Sequence, residues 1–295
     1  MPPELSAVFA VQGGVATFSQ ILDHLSRRGM QRHLRTAALV KIFPGIYSLG
    51  ASDELTRLRG LDLRCGQHVA VCLGTAAAVF GFDTEGETDL HVLNPEGHLL
   101  RGHDGLVVHR RDGAPLTSWR TRRLTTPAWT AVEVARGLRR PRALATLDAA
   151  LRSQTCDERD LLAVAKAQAG RRGIVTVRDL IPLARPGAES PMESEARLVM
   201  LDGGLPEPLL QYEIVDRDGR LWRVDFAWPD RKVAVEYDGF DWHSSPEALR
   251  RDRQKRAALE EISWRVVSIV SDDVRRHPDV MVRRIDAQLI RTAAA

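Results

Sequence analysis

Cysteine is scarce, with Cys65, Cys72 and Cys156 alone in 295 residues. So odd and sparse a set excludes a disulfide framework and fits a reducing cytoplasm, the expected location. Long apolar runs are missing too. None approaches the ~18–20 residues that a bilayer-spanning helix needs, so no membrane association is expected. The opening MPPELSAVFAVQGG has neither a basic leader nor a clear cleavage site, and no secretion signal is read there. Repeats and low-complexity tracts are lacking. Strong net charge is also absent, at +3, and global charge alone does not point to nucleic acid.

What is present is globular: 44% of residues are hydrophobic and 27% charged, ample for a sizeable core. The length argues for two or three domains. Charge is concentrated locally. Arg27, Arg28, Arg32, Arg35 and Lys41 share a stretch without an acid, and RRDRQKR at 250–256 holds five basic groups against one acid. Such concentration is the electrostatic footprint of a phosphate-binding protein, and the plain alternative is a solvated helix face.

Residues 1–50 read as three helices and a hairpin. Leu5, Val8, Phe9 and Val11 suggest a short helix ended by Gly13-Gly14. Thr17 caps a second helix carrying Phe18, Ile21, Leu22 and Leu25. Ser26–Gly29 reads as a turn, and a third helix over about Met30–Ala38 turns Arg32 and Arg35 outward and Leu34 inward. LVKIFPGIYSLG is a hairpin with Pro44-Gly45 at its tip. This order is that of a winged helix-turn-helix, which places its later helix in the major groove of DNA.

Residues 51–185 are expected to form a mixed α/β middle domain. CLGTAAAVFGF suggests a helix, LHVLNP and GLVVHRR strands, and Thr126-Pro127 a helix start. PRALATLDAALRS, DERDLLAVAKAQA and VRDLIPLA suggest further helices. Cys65, His68 and Cys72 have metal-like spacing, but a second ligand pair is missing, and Cys72 in VAVCL reads as a packed thiol.

From Ser190 the order is helix, three strands, helix, strand, helix. The strands are QYEIV, LWRVDFAW, VAVEYD and WRVVSIV. Alternation puts Glu236 and Asp238 on one face of VAVEYD. It also sets Asp225 away from Val224, Phe226 and Trp228, which are expected to share a face. Antiparallel pairing then brings Asp225 beside Glu236 and Asp238. Carboxylates clustered among apolar strands repel one another unless a cation compensates them. A divalent ion would do so, and would activate a water for phosphodiester hydrolysis. Glu193 has two readings: an acid facing the site, or a capping-box partner of Ser190. Asp252 reads by default as an ion-pair partner of neighbouring arginines.

GGVATFSQIL, the basic third helix and VKIFPGIYSLG resemble the N-terminal DNA-binding domain of AbiEi-type antitoxins, and residues 51–185 resemble the region that follows it in AbiEi-like proteins. Residues 190–292 resemble the PD-(D/E)xK nuclease superfamily. Asp225 precedes Glu236 by eleven positions, which matches its D…E spacing. Gly239-Phe240-Asp241-Trp242-His243 is similar to the G-x-x-W-H segment of very-short-patch repair endonucleases. The resemblance extends to repair-endonuclease-like domains with a V-E-Y-D-G-x-x-H segment.

The resemblance implies an α+β multidomain chain. A winged helix-turn-helix (1–50) is followed by the mixed α/β middle region (51–185) and a restriction-endonuclease-like αβββαβ domain (190–292). It implies Asp225, Glu236 and Asp238 as Mg²⁺ or Mn²⁺ ligands, His243 as proton acceptor, and Glu193 as a further catalytic acid. Asp238 departs from the superfamily, which has lysine there; Lys232, Arg250, Arg253 or Lys255 would have to supply the charge. DNA contacts are expected from Arg27, Arg28, Arg32, Arg35, Lys41, Arg250, Arg253 and Lys255. The expected function is a metal-dependent DNA endonuclease, with a homodimer left open. The alternative is a non-catalytic DNA-binding regulator, the antitoxin of a toxin partner, with a degenerate nuclease domain.

Overall fold

The computed structural model describes residues 1–86, 88–110, 113–239 and 246–293. They form two compact units: residues 1–77 with 86–126, and residues 78–85 with 127–295. The expected middle domain, 51–185, is thus shared between the two.

The first unit begins with α1 (Pro3–Val11), β1 (Val15–Thr17), α2 (Phe18–His24), α3 (Arg27–Arg35), β2 (Leu39–Phe43) and β3 (Ile46–Leu49). The strands form an antiparallel sheet in the order β1-β3-β2. This is the winged helix-turn-helix. Gly13 and Gly14, at φ of 67° and 90°, end α1 in a backbone conformation that side chains disfavour. Thr17 caps α2, and Gln20 returns a bond to the Thr17 N–H. The core is Leu5, Phe9, Ile21, Met30, Leu39 and Tyr47, with Leu34 packed against it.

The third helix departs from expectation. Ser26 is its N-cap, accepting from the Gly29 N–H at 3.1 Å, so Arg27 and Arg28 lie in the first helical turn rather than in a loop.

The unit continues with α4 (Glu54–Cys65), most of α5 (Leu73–Phe80), the parallel pair β4 (Leu90–Leu93) and β5 (Leu106–His109), and the antiparallel hairpin β6 (Leu116–Trp119) and β7 (Arg122–Thr125). Cys65 and Cys72 are both buried and not in a disulfide.

The second unit opens with α6 (Pro127–Ala135), α7 (Arg140–Arg152), α8 (Glu158–Ala167) and α9 (Ile174–Leu180). Then come α10 (Pro191–Asp202), β8 (Leu209–Val215), β9 (Leu221–Trp228), β10 (Val233–Tyr237), α11 (Pro246–Glu261), β11 (Arg265–Ile269), α12 (Ser271–Arg275) and α13 (Pro278–Ala293). The sheet order is β11-β10-β9-β8, with β10 and β11 parallel and the other pairs antiparallel. Helices α10, α12 and α13 cover one side of it through Ala196, Met200, Val274, Met281 and Ile285. Leu259 of α11 packs on the other with Ala227, Ala234 and Trp264.

The helical part and the nuclease-like part form one unit because α7 and α10 share a buried ion pair. Arg197 and Asp148, both fully buried, bond at 2.8 and 3.0 Å. Buried Glu195 of α10 joins Arg139, Arg142 and Arg275 at 3.3, 3.3 and 2.7 Å.

Candidate active site

The β9–β10 ladder runs Val233↔Trp228, Ala234↔Ala227, Val235↔Phe226 and then stops. At the next step the Tyr237 N–H donates not to a backbone carbonyl but to the Asp225 carboxylate, 2.8 Å away. The acid thus occupies the place of a ladder bond, and the strands part beyond it. Strand β10 continues along β11, with the Asp238 N–H on the Ile269 carbonyl at 2.8 Å.

The expected single face of Val224, Phe226 and Trp228 is corrected here. Val224 packs with Trp222, Ala227 and Ala234, whereas Phe226 and Trp228 pack on the opposite side with Val233 and Val235. The alternation therefore slips at Asp225. Across the hairpin, Leu210 pairs with Phe226 and Tyr212 with Val224, which sets Gln211 opposite Asp225. Gln211 has φ of 49°, the left-handed region, costly for a side chain other than glycine. The faces change over at this pair: Asp225 lines the cleft, and the Gln211 amide reaches Glu193.

Burial pushes the Asp225 carboxyl above its ordinary range; the Tyr237 N–H, Lys255 and Gln211 pull it back. Glu236 is likewise raised by burial, with Lys255 opposing and Asp225 and Asp238 adding repulsion. Lys255 of α11 forms an ion pair with Glu236 and also donates to the Arg223 carbonyl. The cation that β10 lacks at Asp238 therefore arrives from the adjacent helix.

Of the other candidates, Arg253 lines the cleft and Arg250 is exposed near the start of α11. Lys232 lies at the far end of β10, bound to the Ile262 carbonyl at 3.1 Å. Asp225, Glu236, Asp238, Asp252, Arg253 and Arg256 line an open cleft of about 760 Å³. Arg256 bonds to Ser268 Oγ at 2.6 Å. Asp238 is exposed at the rim. His243, with the rest of 240–245, lies outside the described residues.

Glu193 combines its two readings. Ser190 Oγ accepts from the Glu193 N–H at 3.2 Å, as an N-cap should. The Glu193 carboxylate, however, accepts from the N–H of Glu189 rather than of Ser190, and from the Gln211 amide, both at 2.9 Å. Burial raises its pKa, and Asp225 contributes repulsion. Gln211 thus links Glu193 to Asp225. Sequence reasoning missed it, because no periodic pattern marks a strand residue turned to positive φ.

Among the described residues no three His, Cys, Asp or Glu side chains converge as a ready metal cage. The donors nonetheless fit Mg²⁺. That ion commonly takes one or two carboxylates and completes its shell with waters and phosphate oxygens. Two partly desolvated carboxylates, with Asp225 raising the pKa of Glu236, are a donor set that a hard cation relieves.

Comparison with known proteins identifies two domains in the chain. Residues 69–183 match the family model for the AbiEi antitoxin C-terminal domain. Residues 214–289 match REase_MTES_1575, a restriction-endonuclease-like domain. The second match spans Asp225, Glu236, Asp238 and Lys255; Glu193 and Gln211 precede it. Two curated proteins of Mycobacterium tuberculosis are each 50% identical to the chain over 271 residues, covering 92% of it and the whole of the relative. They are the uncharacterized protein MT2308 of strain CDC 1551 / Oshkosh and the uncharacterized protein Rv2248 of strain ATCC 25618 / H37Rv.

Proposed function

The chain belongs to the family of these two mycobacterial proteins and carries an AbiEi antitoxin C-terminal domain and a restriction-endonuclease-like domain; from that premise we propose that it is a Mg²⁺- or Mn²⁺-dependent DNA endonuclease. The observation that carries the reading is Asp225 and Glu236 at the fork of β9 and β10, with Lys255 on Glu236.

Asp225 and Glu236 hold the ion, with Asp238 at the rim. When bound, the ion neutralises phosphate charge and lowers the pKa of a water. The Tyr237 N–H fixes one Asp225 oxygen at the edge of the cleft. Lys255 stabilises charge developing on the scissile phosphate. Arg253 and Arg256 seat the flanking phosphates. Gln211 holds Glu193 against Asp225 as a positioning pair. His243, if it follows the repair endonucleases, accepts the proton of the attacking water.

The winged helix locates the DNA. Arg27, Arg28, Arg32, Arg35 and Lys41 are exposed, and none is in an ion pair among the described residues. Arg27 and Arg28 stand at the positive end of α3, where cations oppose the helix dipole and a phosphate would relieve both. The protein works in the cytoplasm, and a double-strand cutter of this size would act as a homodimer.

Cleavage of plasmid and duplex DNA with Mg²⁺ or Mn²⁺ tests the proposal. EDTA, Asp225→Ala and Glu236→Ala should each abolish it, and calorimetric Mn²⁺ binding should weaken in both variants. Intact DNA together with unchanged Mn²⁺ binding rejects it.

The AbiEi match and the unpaired cations of α3 favour a second reading, an antitoxin-like repressor with a toxin partner. It requires a mobility shift on the chain's own upstream DNA that survives Asp225→Ala but not the Arg32→Ala/Arg35→Ala pair.

A further inference from the structure

The chain has six tryptophans, and Trp242 lies outside the described residues. Of the remaining five, Trp129, Trp222, Trp228 and Trp264 are buried at 4–7% exposure, whereas Trp119 is 50% exposed. It is the last residue of β6, beside the tight turn Arg120-Thr121 that leads into β7. Arg120 has φ of 55° at the first turn position. Hairpin turns of that form favour glycine there, so an arginine is held at a strained tip. The hairpin is anchored beside its turn: Arg122, opposite Trp119, is paired with Asp62 at 2.7 Å. Arg123 is exposed on the other face of the ribbon. Neither Arg120 nor Arg123 is in an ion pair among the described residues, and residues 113–132 contain no acid.

We propose that the β6–β7 hairpin is a second DNA-binding element, in which Trp119 stacks on an unpaired base while Arg120 and Arg123 contact the phosphates on either side. A free indole face suits any base, because every base presents a π-surface. Cations at the tip and on the reverse face suit a strand crossing the ribbon. An acidic protein would use the cations but has less use for the flat ring. The element lies in the first unit and needs no catalysis, so it stands apart from the nuclease reading. It gives the protein a preference for DNA with bulged, looped or single-stranded bases.

The test measures binding of the full chain to a fluorescent duplex, and to the same duplex with a central unpaired loop, by anisotropy in EDTA. Wild type should favour the looped DNA. Trp119→Ala should weaken that binding about tenfold or more, with the intact duplex little affected. Trp119→Phe should restore most of it, and Arg123→Gln should lower the salt slope by about one. Equal looped-DNA affinity for wild type and Trp119→Ala overturns the proposal, as does equal loss on both DNAs. A Trp119→Ala variant that binds DNA normally but loses a co-purifying acidic protein assigns the hairpin to a protein partner and also overturns it. Loss of duplex binding in Arg32→Ala/Arg35→Ala reports on the winged helix alone, so the two readings fail separately.

Discussion

Helix α3 of the first unit and helix α10 of the second use arginine in opposite ways. On α3, Arg27, Arg28, Arg32 and Arg35 stand in solvent, in no ion pair among the described residues. On α10, Arg197 is fully buried against Asp148, and Glu195 gathers three arginines, two from the start of α7 and one from the end of α12. A guanidinium left exposed keeps its hydration and is free for an outside phosphate. One taken inside has lost that hydration and holds its place only while its carboxylate is there. The α3 cations are thus spare with respect to folding, and the α10 network is a fastener. Lys255 is the intermediate case, paired with Glu236 yet facing a cleft.

The comparison can be broken most forcefully at Arg197. Arg197→Met strands a buried Asp148 and should cost about 3–5 kcal/mol in denaturant unfolding. The double variant with Asp148→Leu should recover most of it. A loss below about 1 kcal/mol would mean that the network does not fasten the unit. Lys255→Gln sharpens the middle case. Cleavage should fall about a hundredfold, with DNA affinity within about threefold. If cleavage is unchanged, Lys255 is only a structural partner of Glu236.

Glu195 comes next, through pH. Burial pushes its carboxyl up, but Arg275, Arg142 and Arg139 outweigh that and hold it below its ordinary 4.5. A depressed pKa adds stability that is present above the unfolded value and is lost as pH falls through the folded one. Wild type should therefore exceed Glu195→Gln by about 1–3 kcal/mol at neutral pH. The two should converge in melting temperature as pH falls from 4.5 through the depressed folded value. A gap that persists in acid would show that the carboxylate charge is not what matters. The smallest stability effect belongs to Arg32→Ala/Arg35→Ala, within about 0.5 kcal/mol. The same pair should reduce the salt slope of duplex binding by about two.

Legibility in the sequence followed the range of the interactions. Local signals served well. Thr17 capped α2, Ser190 capped α10, Pro44-Gly45 made the wing turn, and the strands around Asp225 and Glu236 lay where apolar runs predicted them. Cues with two local readings did less well: Ser26 looked like part of a turn but is a helix cap. Features that depend on distant partners were not legible. The slip of faces at Asp225 requires Gln211 at positive φ on another strand. Lys255 was one of four candidate cations until the packing of α11 singled it out. The joining of α7 to α10 rests on Asp148, which reads in sequence as an ordinary helical acid.

The bond from the Tyr237 amide to the Asp225 carboxylate carries an evolutionary consequence. Asp225 is a structural peg as well as a charge, because its oxygen replaces the carbonyl that would otherwise close the ladder. Asparagine offers the same acceptor and could hold the peg, whereas alanine or leucine would leave an amide without a partner at the parting of two strands. A descendant that had given up cutting DNA would still be confined to aspartate or asparagine at this position, under a constraint set by folding and no longer by chemistry.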